Sequence, residues 1–515
     1  MPRQTRLPRR PIHTANFERP FGVIDIGSNS VRLVVFDGPS RAPVPKFNEK
    51  VLCGLGRSLD ATGRLDKSGV KLALAVLSRF AALAKEMRVG HFEVVATAAV
   101  REAADGGDFV AAVKRRAGLD VRVLSGADEG RISAMGVLSG IPDAEGVVGD
   151  IGGASLELIE IGAGATGRSV TLPLGPFRMS GVPAKQRAEV VDAALAAADW
   201  LEAARGRSLY LVGGAWRAIA RIHMAQSGYP LHIIHHYQVE AAALRDFSRF
   251  LARQSGASLA GIPGVSPRRL EILSPAALVL SRLIARLAPS DVVFSAHGLR
   301  EGLWYAALSS KQRRQDPLLA ACRALALRES RFGPHGEKLF RVLAPAFPGE
   351  HAAAARLRLA ASLLSDISWR VSPDYRADLA SRRILLAPLS AFDHPARAFV
   401  ALAVYARYRG SLEGAEALPG CMLIDQKEAR RALAIGLGLR FAHAISGGTA
   451  APLAAVRLVP KGDKLVLEIA PKAAELMAET PTRRLEAFAR SLGLRAEIKI
   501  KKAKAAAKRK RKAKA

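Results

Sequence analysis

The chain is 515 residues long, 49% hydrophobic, and carries a formal charge of +31 from 77 Lys and Arg against 46 Asp and Glu. Length alone suggests three or more domains of about 150 residues each, with ample apolar content for packed cores. Cys53, Cys322 and Cys421 are too scattered for a disulfide framework or a zinc spacing, which points to the reducing cytoplasm. The first arginines have no apolar run behind them, so no secretory signal is expected. No stretch is apolar for long enough to cross a bilayer.

The surplus charge asks for a polyanion. Helix-turn-helix, zinc-finger and glycine–aromatic RNA-binding signatures are missing, and aromatics are 6%, few for base stacking. Nucleic acid is therefore expected only as a non-specific partner. A polyanion without bases fits the charge equally well.

In chain order, residues 1–20 read as a basic arm. Val23–Phe36 reads as two short strands around the polar turn Ser28-Asn29-Ser30. Lys67–Met87 is an expected helix with Val70, Leu74, Leu77, Ala81 and Ala84 on one stripe. Phe92–Ala96 is a buried strand leading into a loop that ends at Arg101, and Asp108 caps the next helix. "VRVLSGADEGRISAMGVLSGI" reads as a strand, a Ser-Gly turn and a helix from near Asp128. A second strand–polar turn–strand follows at Val147–Gly164, then a helix near Ala188–Ala204. "LYLVGGAWRAIARI" is a strand, a Gly-Gly turn and a helix start. Helices over Glu240–Arg253 and Ser274–Leu287 lead to a last strand, turn and helix, "DVVFSAHGLREGLWYAAL". This alternation implies an α/β architecture with parallel or mixed sheets. Ser309–Pro317 is a charged, proline-ended linker and the main boundary. Beyond it, 317–442 reads as helical and 443–500 as a small α+β part with a hairpin turning at Lys461-Gly462-Asp463. Residues 501–515 form a Lys/Arg-rich tail, either simply solvated or holding a polyanion through counterion release.

The two polar turns are the same pattern. "GVIDIGSNSVRLVVFDG" lies over "VVGDIGGASLELIEIGAG" with Asp25 on Asp150, Gly27 on Gly152 and Ser30 on Ser155. Phosphate needs backbone N–H groups in a concavity, small residues that allow close approach, and hydroxyl donors. Either turn alone is an ordinary hairpin, since Gly, Ser and Asn dominate turns. The repetition favours a phosphate site between two facing hairpins. It is neither a P-loop nor a dinucleotide fingerprint, because the glycines enter a strand, not a helix. Asp25 and Asp150 would then sit together beside phosphate, and two such carboxylates ask for Mg²⁺.

This pattern resembles the phosphate-binding core of the sugar kinase, actin and chaperone ATPase superfamily. More narrowly, "DIGSNSVRL", "ATAAVREA", "SGADEGRISAMGV", "GDIGGASLEL", "LVGGAWRAIARI" and "SAHGLREGLWY" resemble, in order, the exopolyphosphatase / guanosine pentaphosphate phosphohydrolase family. The resemblance spans Gly22 to about Tyr305. It implies two ribonuclease H-like (actin-like ATPase) subdomains, 21–143 and 144–308, around a cleft. A mostly helical HD-like domain and the small α+β part follow. It also implies a homodimer.

The resemblance assigns roles residue by residue. Glu129, the second acid of Asp128-Glu129-Gly130-Arg131, matches the general base, where the family has Glu-Glu-Ala-Arg. Ser28, Asn29 and Ser30 match the first phosphate turn. Asp150, Gly152, Gly153, Ser155 and Glu157 match the second, with Ala154 in place of a third glycine. Glu157 either places water or metal or is an exposed hairpin acid. Arg101 matches a phosphate-side arginine, a role its bidentate fork suits. Gly213 and Gly214 match a further glycine turn near a nucleotide. Arg32 is read as a salt-bridge partner, and His297 and Arg300 as lining residues of lesser weight. In the HD-like region, Ser365-Asp366 stands where His-Asp is needed, which leaves only the scattered His351 and His394. That domain is expected to be non-catalytic.

The activity implied is Mg²⁺-dependent release of orthophosphate from the ends of inorganic polyphosphate, a long polyanion without bases. Guanosine pentaphosphate 5′-phosphohydrolysis is the rival in the same chemistry. A non-catalytic polyanion-binding regulator is the rival from another class, and a short-chain acid kinase lacks a visible adenine pocket.

Overall fold

The computed structural model describes residues 19–38, 40–254 and 270–501. Almost all of the basic arm and of the Lys/Arg tail therefore lies outside the described residues. The chain divides into two units. One runs to Pro317 and takes in Leu389–Asp393; the other comprises Leu318–Pro388 and the chain from His394.

The first unit holds two sheets. β1 (Phe21–Ile26), β2 (Ser30–Phe36), β3 (Pro45–Leu52), β4 (His91–Ala96) and β5 (Arg122–Val123) lie in the order β3-β2-β1-β4-β5. β1 and β2 form an antiparallel hairpin, and β4 runs parallel to β1 on its other side. Strand alternation sorts the side chains. Ile24 and Ile26 pack with Leu77 and Phe80 of helix Lys67–Glu86 and with Phe109 and Val113 of helix Gly106–Ala117. Phe21 and Val23 face the other way, onto Leu303 and Trp304 of helix Leu299–Ala307.

The second sheet repeats the plan. β6 (Gly146–Ile151), β7 (Leu156–Gly162), β8 (Ala165–Leu172), β9 (Ser208–Val212), β10 (Tyr237–Val239) and β11 (Val292–Phe294) lie in the order β10-β11-β9-β6-β7-β8. β6 and β7 form the hairpin, and β9 lies parallel to β6. Helix Gly126–Gly140 packs Ala134, Val137 and Leu138 against Val148, Ile159 and Val212.

Several expectations change in detail. Arg101 lies in a short helix, Ala98–Glu102, not a loop. Asp105 holds the N-cap position that was expected for Asp108, which falls inside the first turn. Helix Gly126–Gly140 starts before Asp128, because the Ser125 side chain accepts from the Asp128 amide at 3.1 Å and caps it earlier. The helix expected near Ala188–Ala204 breaks into an α-helix, Arg187–Ala196, and a 3₁₀ turn, Asp199–Ala204. Leu270–Leu287 runs through Pro275. The expected linker contains a capped turn, Ser310–Arg313, where Ser309 and Gln312 bond reciprocally.

In the second unit the described helices include Pro317–Glu329, Gly336–Leu343, Ala352–Leu364, Arg376–Leu386, His394–Arg409 and Gln426–Ser446. The last passes through the expected 442/443 boundary. β12 (Val456–Lys461), β13 (Lys464–Ile469) and β14 (Arg495–Ile500) form a small sheet, with helix Glu479–Ser491 between the last two strands in the chain. The β12–β13 turn falls at Gly462 as expected, where φ is +59°. The three cysteines are free thiols. Among the described residues, no helix is long and apolar enough to cross a membrane.

Candidate active site

The two polar turns superpose bond for bond. Asp25 pairs with Arg32 across β1–β2, and Asp150 pairs with Glu157 across β6–β7. The Gly27 amide donates to the Ser30 carbonyl at 3.0 Å, and the Gly152 amide donates to the Ser155 carbonyl at 2.9 Å. Asp25 and Asp150 thus hold equivalent seats, each one residue before the end of its strand. The turns also meet each other: a Cβ on Gly153 would lie 3.3 Å from the Ser28 Cβ. The Ser28 and Asn29 carbonyls accept from the Gly56, Cys53 and Gly54 amides. The side chains of Ser28, Asn29 and Ser30 make no hydrogen bond among the described residues, which leaves their donors unspent. Ala154 does not disrupt its turn. Its carbonyl accepts from the Gly175 amide at 3.1 Å, and the Gly153 carbonyl accepts from the Phe177 amide at 3.0 Å.

Arg101 and Glu129 come from different elements. β4 ends at Ala96, and Arg101 follows on the short helix. Ser125 starts helix Gly126–Gly140, and Glu129 sits on its first turn. The Arg101 Nη1 donates to Glu129 Oε2 at 3.1 Å and to the Leu124 carbonyl at 2.9 Å. Gly130 allows the helix to lie against β7. A Cβ there would stand 3.0 Å from Ile159 Cδ1 and 3.2 Å from the Glu157 Cβ.

The electrostatics single out four acids. Burial pushes Glu129 up to about 7; the Arg101 hydrogen bond opposes this, and the charges of Asp150 and Asp25 add to it. Burial also lifts Glu157 well above the usual carboxylate range, with Glu129 the next cause. Glu157 is only 1% exposed, so it is not a surface hairpin acid, and its Oε1 has no partner among the described residues. Burial raises both Asp25 and Asp150, opposed at Asp25 chiefly by Arg300 and at Asp150 chiefly by the Ser133 hydroxyl.

Sequence reasoning missed two participants. Ser133 donates to Asp150 Oδ2 and lies one helical turn beyond Glu129, so the i, i+4 spacing was the available signal. Arg217 occupies the position in helix Gly214–Gln226 that Arg101 occupies after β4. The Arg101 amide bonds to the Thr97 carbonyl and the Arg217 amide to the Gly213 carbonyl. Gly213 and Gly214 form that turn, with Gly213 at φ +109°. Arg300 Nη1 lies 3.6 Å from Asp25 Oδ2. Arg32 donates from Nε to Asn48 Oδ1 at 2.8 Å. His297 is committed to packing, with Nδ1 3.1 Å from the Ser139 hydroxyl and its ring stacked on His235 at 4.5 Å.

In the second unit, Ser365 Oγ lies 2.9 Å from His443 Nε2. Asp366 is bridged by Arg331 at 2.9 and 3.0 Å and by Arg407 at 3.2 Å. His394 is buried at the start of helix His394–Arg409. His351 caps helix Ala352–Leu364 through Nδ1. The nearby histidines are His443 and His335, their rings 5.2 Å apart. Among the described residues no group of three or more His, Cys, Asp or Glu could hold a metal.

Residues 23–311 match the family model described as "Ppx/GppA phosphatase family", and residues 318–499 match "Exopolyphosphatase, C-terminal". Exopolyphosphatase 1 of Mycobacterium tuberculosis is 28% identical over 305 residues, covering 56% of this chain and 88% of that protein. Retrograde regulation protein 2 of Saccharomyces cerevisiae is 25% identical over 439 residues, covering 77% of this chain and 74% of its own length. The crystal structure of an exopolyphosphatase from Cytophaga hutchinsonii superposes with a TM-score of 0.52 at 21% identity, over 56% of this chain and 97% of that one. That likeness carries the fold, two actin-like subdomains. With paired phosphate-type turns, a buried acid cluster and a family model covering more than half its length, the chain belongs to the Ppx/GppA phosphatase family.

Proposed function

We propose that this chain is an exopolyphosphatase, releasing orthophosphate from the ends of inorganic polyphosphate with Glu129 as general base. The observation that carries the reading is Glu129 itself. It is a buried carboxylate raised to about 7 and held by Arg101 beside both Asp-bearing turns. A base whose pKa lies near the working pH combines the right protonation state with useful driving force.

In the reaction, a water attacks the terminal phosphorus and gives its proton to Glu129. The bond from phosphorus to the bridging oxygen breaks, and its electron pair leaves on the shortened chain. Burial holds Glu157 well above the usual carboxylate range, and its unpartnered Oε1 faces no competing partner among the described residues, so it is available to the attacking water or to a phosphate oxygen. Arg101 and the unspent donors of Ser28, Asn29 and Ser30, with the Gly152–Ser155 turn, hold the transferred group.

Asp25 and Asp150 fit Mg²⁺. They supply oxygen donors only, each is destabilised as an anion by burial, and no third acid joins them as a ligand. Mg²⁺ commonly takes one or two carboxylates and leaves its other positions to water and phosphate. Bound there, it would neutralise charge on the phosphate oxygens. The second unit is read as non-catalytic, because Asp366 is spent on two guanidinium groups.

The test is phosphate release by the purified chain with Mg²⁺, with long-chain polyphosphate and guanosine pentaphosphate offered in parallel and Glu129→Gln as control. Release from polyphosphate that the variant lacks supports the reading, and a faster rate on guanosine pentaphosphate assigns the rival activity. The yeast relative named as a regulation protein covers more of this chain than the exopolyphosphatases do. A chain that binds polyphosphate and releases nothing would be a polyanion-binding regulator. A homodimer in the cytoplasm belongs to the same proposal and is read from mass in solution and from cell fractionation.

A further inference from the structure

Two half-buried arginines beside the acid pair have buried, unspent Nε donors. Arg217 repeats the place of Arg101 on the second sheet, yet its guanidinium makes no hydrogen bond or ion pair among the described residues. Its Nε is buried without a partner. Arg300 approaches Asp25 at 3.6 Å, and its Nε is likewise buried and unpartnered. Both side chains leave the first turns of helices, Arg217 from Gly214–Gln226 and Arg300 from Leu299–Ala307. That is the positive pole of each helix, where a cation is disfavoured and an anion is welcome. Both helix starts adjoin the end of β6: a Cβ on Gly298 would stand 3.9 Å from Asp150 Oδ2, and one on Gly213 would stand 2.4 Å from the Ile151 carbonyl oxygen.

The local acids leave these Nε donors unfilled: Asp25 reaches Arg300 only at Nη1, at 3.6 Å. Glu301 is occupied by the Gly298 amide at 3.0 Å. Burial depresses Arg217 to about 10, with Arg300 the next cause and Glu301 and Asp150 opposing. Buried guanidinium N–H groups without an acceptor, such as these two Nε atoms, are costly unless an anion completes them. Asp25 and Asp150 thus have Arg101, Glu129 and Glu157 as one set of neighbours and Arg32, Arg217, Arg300 and Glu301 as another.

We propose that Arg217 and Arg300 form a second phosphate subsite, which holds the phosphoryl group next to the one that is cleaved. This rests on the reading of the cleft as a polyphosphate site and deepens it. A subsite for the adjacent phosphate is filled by every substrate with at least one anhydride. Its loss therefore weakens short and long chains by the same factor, unlike loss of a distant groove contact.

The experiment uses the full chain and the variants Arg217→Gln, Arg217→Lys and Arg300→Lys, each checked for an unaltered thermal transition. kcat and KM are measured on tripolyphosphate and on long-chain polyphosphate. Tripolyphosphate binding is measured by calorimetry in a Glu129→Gln background, where nothing is consumed. The expected result is a rise of tenfold or more in KM for Arg217→Gln on both substrates, with a smaller change in kcat. The dissociation constant should rise by the same factor, and Arg217→Lys should recover part of it. Unchanged KM and binding would overturn the proposal. So would a fall in kcat with a displaced pH profile, which would assign Arg217 to the ionisation of Asp150. If Arg217→Gln does not fold, the lysine variants decide by the same measurements. If the wild-type chain binds tripolyphosphate but releases no phosphate, the proposed activity fails while calorimetry still tests the subsite. If it binds none, both fail.

Discussion

Arg101 Nη1 lies 3.1 Å from Glu129 Oε2 and bonds through the same nitrogen to the Leu124 carbonyl, so the arginine is anchored to the backbone as it holds the acid. Burial pushes Glu129 up to about 7 against that contact. A base works deprotonated, so kcat/KM should climb with pH to a plateau above about 7. Arg101→Gln should move that limb to higher pH, because the stabilising cation is gone. A pH–rate profile for phosphate release checks both; a limb that stays in place would show that Arg101 does not set the ionisation.

The same shift is a statement about stability. Native Glu129 holds its proton to about 7, whereas an unfolded glutamate loses it near 4.5, so the native state binds more protons in between. Stability is therefore lost as pH rises through that window, by ~3 kcal/mol at 1.36 kcal/mol per unit. Glu129→Gln should melt higher than wild type at pH 8 in the absence of Mg²⁺, and the difference should close near pH 4. Thermal melts at the two pH values measure it.

Ser133 donates to Asp150 and helps offset the burial that raises that acid. Ser133→Ala should weaken the affinity of Asp150 for a cation. The Mg²⁺ concentration for half-maximal phosphate release should rise by roughly tenfold, the usual scale for losing a partner of a metal ligand. A metal titration at saturating substrate reads it.

Gly130→Ala places a methyl group 3.0 Å from Ile159 Cδ1 and 3.2 Å from the Glu157 Cβ. Overpacking of this kind costs about 1–3 kcal/mol. It also displaces the helix that carries Glu129, so kcat should fall with stability. Adding Ile159→Val removes the Cδ1 contact and should restore part of both, which unfolding curves and rates on the double variant would show.

Asp366→Asn leaves Arg331 and Arg407 facing a neutral group in a buried setting. Breaking one side of such a network costs about 3–5 kcal/mol. The thermal transition of the second unit should drop, while phosphate release from tripolyphosphate per folded molecule stays at the wild-type rate. A parallel loss of that rate would give the second unit a part in the chemistry.

The duplicated turn was legible because its demands are local: an Asp near the strand end, small residues in the turn, and a hydroxyl in register. Both hairpins formed as expected, with Asp25 and Asp150 in matched places. β3 and β8 escaped notice because they are largely exposed and carry few apolar residues at alternate positions. Glu157 stayed open in the sequence between a working acid and an exposed one, because its burial depends on helix Gly126–Gly140 lying over β7, which no short window displays. Arg217 was in plain view but gained meaning only once β4 and β9 proved to be equivalent strands. Ser365 and Asp366 were read as a departure from His-Asp, and the histidines drawn into contact there are His335 and His443, set by helix packing in the second unit.

The residues facing the two aspartates differ in kind: Arg32 sits opposite Asp25, and Glu157 sits opposite Asp150. Two identical walls would grip a phosphate chain equally well in either direction. Here the walls are related in backbone and unlike in side chain, a guanidinium on one and a buried carboxyl on the other, so an anion between them experiences a field with a head and a tail. A linear polymer of identical units has no chemical polarity of its own, and under the proposed function a cleft of this kind would impose one on it, distinguishing the end that is cut from the remainder that is kept.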